Sequence, residues 1–88
     1  MVKWLHYYCS HMPTLKHFRH CRLTIYPNEH GTPHFHLEFV DGDRCSVAIE
    51  TLEILIGEVR PARKMTEALA WAGENRELLL EKWEEITR

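Results

Sequence analysis

The stretch EHGTPHFHLE, Glu29 to Glu38, gathers side chains that do chemistry readily: three of the seven histidines in the chain with a carboxylate at each end. His34 and His36 stand two residues apart in an alternating run, so on a strand both rings project from one face. Glu38 continues that face and His30 lies in the loop before it. Two imidazoles with a carboxylate suit Zn, Ni or non-haem Fe(II), so one reading is a divalent-metal site of His34, His36 and Glu38, with His30 as the alternative third ligand.

The same residues admit two other readings. RNA cleavage needs a base for the 2′-hydroxyl and an acid for the leaving oxygen, and a histidine near its ordinary pKa serves either role. In that reading His34 and His36 are catalytic, RNA is the partner, and Lys16, Arg19, Arg22 and Arg44 supply cations. The third reading involves no chemistry. Tyr26, Glu29, His30, His34, His36 and Glu38 then form a polar and aromatic sheet face that binds a protein partner. A second group, His17, His20 and Cys21, offers a weaker version of the metal pattern.

The elements that must position these residues follow from periodicity. Leu23 and Ile25 alternate with Arg22, Thr24 and Tyr26, which predicts a strand. Pro27, Gly31 and Pro33 punctuate a loop. In HFHLEF, Phe35, Leu37 and Phe39 point one way and His34, His36 and Glu38 the other. Asp41-Gly42 signals a hairpin. Cys45, Val47 and Ile49 then share a face of RCSVAIE, and EILIGEV reads as a short fourth run.

Beyond Pro61 the period becomes helical, with Met65, Ala68, Leu69 and Ala72 on one stripe. Gly73 and Asn75 read as a stop and a new cap. A second helix from Asn75 to Ile86 carries Leu78, Leu79, Trp83 and Ile86, with Trp83 a packing residue. The fold class expected is two-layer α+β: an antiparallel meander of three or four strands with two C-terminal helices packed on one face. The helices should cover the Phe35/Leu37/Phe39 face and leave the histidines on the other.

Composition bounds the remaining choices. Eighty-eight residues, 44% hydrophobic and 27% charged, describe one globular domain, taken as residues 12–88 behind an extension at 1–11 that holds Trp4, Tyr7 and Tyr8. The net charge of −2 lacks the basic excess of a general nucleic-acid binder. Cys9, Cys21 and Cys45 show no CxxC spacing, which favours a reducing cytoplasm over a disulfide framework. The opening MVKWLHYYCSHM is too short and polar for a spanning helix, so no membrane partner is expected. No phosphate loop or nucleophile elbow occurs, and an open sheet edge is compatible with a homodimer.

Met12-Pro13-Thr14, IYPNEHGTPHFHLE and WAGENRELLLEKWEE together resemble a small bacterial family, domain of unknown function family 4160. Its members open on an MPT-like start, carry an EHxPPHxHV-like motif and end in a Trp- and Leu-rich helix. The resemblance covers about Met12 to Glu85. Thr32 stands where the first of two prolines is usual, and Gly73 interrupts the usually unbroken terminal stretch. The signature positions are Glu29, His30, Pro33, His34 and His36, none with an assigned role. The family's frequent placement beside a second small gene implies a protein-interacting component of a toxin–antitoxin-like pair.

Overall fold

In the computed structural model, residues 14–88 are described; the extension expected at residues 1–11 and Cys9 lie outside them. Five strands form one antiparallel sheet: β1 (Thr14–His17), β2 (Cys21–Thr24), β3 (His34–Phe39), β4 (Arg44–Ala48) and β5 (Ile54–Glu58). They lie side by side in chain order. A 3₁₀ turn (Ala62–Met65) leads into α1 (Thr66–Glu74) and α2 (Arg76–Thr87). The architecture is the expected α+β meander with two C-terminal helices, and its sheet has one strand more than the upper expectation of four.

The added strand is β1. Thr14 and Leu15 are half-buried while Lys16 and His17 are exposed. A register shift between Thr14 and Lys16 further breaks the alternation. Polar, charged residues and a bulge are what keep an edge strand from pairing further, and they also erase its signature from the sequence.

One face of the sheet holds the core. Leu23, Ile25, Phe35, Leu37, Val47 and Ile49 are all 0% exposed and pack with Met65, Ala68, Ala72, Leu79 and Trp83. Each such aliphatic or aromatic side chain contributes about 1.5–3 kcal/mol through burial. The pairings Leu23↔Leu37 and Leu37↔Cys45 put one row of these residues in line. The other face then carries Arg22, Thr24, His36, Glu38, Arg44 and Ser46, paired Arg22↔Glu38↔Arg44 and Thr24↔His36↔Ser46.

Polar contacts add to this packing of the helical segment. Lys64 bridges Asp41 Oδ2 at 2.6 Å and Asp43 Oδ2 at 2.9 Å, fastening the 3₁₀ turn to the β3–β4 hairpin. Its ammonium also lies 5.2 Å from the centre of the Phe39 ring. The hydrogen bonds from Lys64 hold both aspartates below their ordinary pKa. Gly42, at φ +101°, gives that hairpin the left-handed residue the Asp-Gly pair foretells. The break between the helices falls at Asn75, with φ −124° and ψ 29°. Its side chain makes no cap to α2; its amide instead donates to the Trp71 carbonyl at 2.8 Å and closes the end of α1. Gly73 lies within α1 and does not end it.

Candidate metal centre

Three ligand-bearing side chains meet where the β2–β3 loop re-enters the sheet. Asn28 (φ 66°) and Gly31 (φ 93°) take left-handed conformations that turn the loop back. The Pro33 carbonyl accepts from Ile49 N at 3.0 Å, which pins the loop's end to the chain just after β4. This path brings Glu29 over the first turn of the β3 pleat, beside His34 and His36. Ligand atoms of Glu29, His34 and His36 all lie within 4.8 Å of one another. This is the one His/Cys/Asp/Glu cluster of metal-holding geometry among the described residues.

The hydrogen-bond inventory at His34 is the informative feature. Its Nδ1 lies 2.7 Å from the Thr32 carbonyl oxygen, which can only accept, so the proton sits on Nδ1. Its Nε2 lies 2.8 Å from Glu29 Oε1. With hydrogen on Nδ1, the ring meets the Glu29 carboxylate either through a second proton on Nε2 or through a cation shared by the two. His36 adds an unpaired ring nitrogen: its Nε2 is buried, finds no hydrogen-bond partner among the described residues, and lies 3.7 Å from Glu29 Oε2. Burial, opposed in part by Glu29, holds the His36 pKa below its ordinary value and favours the neutral ring.

Neighbours hold the cluster in place. The His34 ring packs against Trp83 of α2, with centroids 5.0 Å apart, and stands edge-on to His36 at 5.2 Å. Trp83, 9% exposed, is thus the packing residue expected, and it also backs the imidazole. Tyr26 stands edge-on to His36 at 5.1 Å and reaches past it to donate its hydroxyl to Glu38 Oε2. Arg22 donates to Glu38 Oε1 through Nε at 2.9 Å and lies 2.9 Å away through its terminal nitrogen. Partial burial pushes the Glu38 carboxyl up, but the hydrogen bonds from Tyr26 and Arg22 prevail and hold its pKa below the ordinary value.

The residues singled out by spacing therefore separate into groups. His34 and His36 come together as the alternation requires. Glu29 joins them from the loop, whereas both oxygens of Glu38 are engaged by Tyr26 and Arg22. His30 lines the cleft in front of the cluster without entering the close group. His17 and His20 are exposed while Cys21 turns into the core, where burial and the nearby Glu67 push its thiol up to about 11. Those three do not gather.

The cleft has a volume of about 670 Å³. Glu29, His34 and His36 form part of its wall, and Arg44, Leu55, Ile56 and Gly57 form another. Gly57 is required there: at φ +94°, an added Cβ would stand 2.8 Å from Cys45 Cα. Arg44, named from the sequence only among four scattered cations, is set opposite Glu38 by the β3–β4 pairing, and the β4–β5 pairing brings Leu55 and Ile56, to which spacing did not point.

Fold and site together define a small α+β domain with an antiparallel meander and a His/His/Glu cluster beside the polar face of β3, where the core residue Trp83 backs His34. Residues 21–84 match the family described as Domain of unknown function (DUF4160). The chain belongs to that family. No curated protein and no solved structure matches the chain. Among the described residues, no helix is long and apolar enough to cross a membrane.

Proposed function

We propose that Glu29, His34 and His36 hold a divalent transition-metal ion, with a remaining coordination position open to the cleft. The observation that carries this is the convergence of acceptors. His34 Nε2, His36 Nε2 and both oxygens of Glu29 face one another, and the only hydrogen-bond length among these contacts is the 2.8 Å from His34 to Glu29. A proton on His34 Nε2 would satisfy one of the contacts. A single cation satisfies all of them.

Metal–nitrogen and metal–oxygen bonds of about 2.0–2.2 Å set tetrahedral ligand atoms roughly 3.3–3.6 Å apart. The 3.7 Å contact is close to that spacing, and the 2.8 Å contact would widen by less than about 1 Å on taking up an ion. The Thr32 carbonyl fixes the His34 tautomer that presents Nε2, as outer-sphere partners of metal-bound histidines do. Three protein ligands and an open position are the donor set of hydrolytic or oxygen-activating centres. Zn²⁺ titration by calorimetry tests the reading. It predicts a single strong site in the full chain that His36→Ala abolishes; a chain that takes up no Zn²⁺, Ni²⁺ or Fe²⁺ overturns it.

The ribonuclease reading fares less well, because His34 commits both ring nitrogens to protein oxygens and the Nε2 of His36 is buried. The docking reading has its own support: Ile54, Leu55 and Ile56 of the edge strand β5 are 42%, 45% and 74% exposed. An apolar edge strand is a site for strand addition by a partner. We infer from it a protein-interacting component of a toxin–antitoxin-like pair in the bacterial cytoplasm. Co-purification with the product of the adjacent gene, lost in Ile56→Asp, is the expected result; no co-purification contradicts it.

A further inference from the structure

We propose that the cleft binds a small organic acid whose α-oxygen coordinates the metal, an α-keto or α-hydroxy acid with a short apolar side chain. This rests on the metal reading above and names its ligand class. The first support is a spare cation. Arg44 lines the cleft, and its cross-strand neighbours Glu38 and Glu58 are both taken. Glu38 is held by Arg22 and Tyr26, and Glu58 by Arg60 at 2.6 Å. Among the described residues Arg44 makes no ion pair, so it stands in the cleft as an unmatched guanidinium. That group binds a carboxylate through two parallel N–H donors.

The second support is the apolar wall beside them. Leu55 and Ile56 line the same cleft as Arg44 and the His/His/Glu cluster. Both belong to the edge strand, and Ile56 is paired with Ser46, the residue opposite His36. A ligand held at the two polar groups therefore has apolar side chains within the same cleft for its tail. An inorganic anion would gain nothing from them, whereas an aliphatic tail buries surface there. The acid's α-oxygen supplies the metal's open position, its carboxylate meets Arg44, and its tail lies on Leu55 and Ile56.

The probe is 2-oxo-4-methylpentanoate, titrated calorimetrically into the Zn²⁺-loaded full chain. The expected result is saturable binding that weakens about tenfold or more in Arg44→Gln, with Zn²⁺ uptake unchanged. 4-Methylpentanoate, which lacks the α-oxygen, should bind about tenfold more weakly. The metal-free chain should not retain the keto acid. Zn²⁺ uptake without keto-acid binding, or binding indifferent to Arg44→Gln, overturns this inference and leaves the metal centre standing. Inorganic phosphate binding as tightly as the keto acid overturns it as well, because the apolar wall would then play no part. Failure of Zn²⁺ uptake sinks both readings together.

Discussion

Glu38→Gln removes the charge that organises the polar face without changing its shape, and its cost can be worked out. In the native chain the carboxylate accepts from the Tyr26 hydroxyl and from Arg22, with its side chain 20% exposed. A hydrogen bond to a charged group is worth about 1.5–3 kcal/mol. The open setting of Arg22, 43% exposed, adds little through screened attraction. The substitution should therefore cost about 1–2 kcal/mol at pH 7, or roughly 5–15 °C in Tm for a domain of this size.

The pH dependence has a definite sign. The folded pKa of Glu38 lies below its ordinary value of 4.5, so its contribution is present above the unfolded pKa and lost as pH falls through the folded one. The difference in Tm between native chain and Glu38→Gln should be full at neutral pH and shrink below pH 4.5. Calorimetric melts of both proteins across that range, with chelator present, make the test. A variant that melts with the native chain at pH 7, or a difference that persists undiminished in acid, would refute the reasoning.

Three further outcomes follow from separate parts of the structure. Gly57→Ala forces a Cβ against the β4 backbone at a left-handed φ and should cost about 1–3 kcal/mol, measured by urea unfolding. Leu37→Ala empties the middle of a fully buried row and should cost about 2–5 kcal/mol in the same assay. Zn²⁺ at about 100 times its Kd should add about 2.7 kcal/mol of stability by mass action, and a chelator should remove it. That gain should be absent from His34→Ala in thermal melts.

Much of the fold was legible because a period of two survives wherever one face is buried. Phe35, Leu37 and Phe39 are all in the core and His34, His36 and Glu38 are not, as their alternation required. The helical stripe of Met65, Ala68 and Ala72 is buried for the same reason, and two helices formed where Asn75 signalled a break. The strand Thr14–His17 was illegible because an edge strand needs no apolar face. The histidine pair of the site was likewise legible from its spacing. Glu29 was expected as a neighbour of that pair but not as a candidate ligand, since a residue five positions before His34 comes within hydrogen-bond reach only if the loop folds back at Asn28 and Gly31. Ile56 reaches the cleft through the β4–β5 pairing, which no turn signal in the local sequence specified.

The pairing of Glu29 with the two histidines is the central claim, and metal content per chain tests it most directly. The full chain, made without a histidine tag or chelator, would be analysed by elemental mass spectrometry beside Glu29→Ala and Glu38→Ala. About one equivalent of a divalent transition metal is predicted in the native chain and in Glu38→Ala, and little in Glu29→Ala. A native chain that carries no metal and takes none up on titration would contradict the account, as would full occupancy in Glu29→Ala.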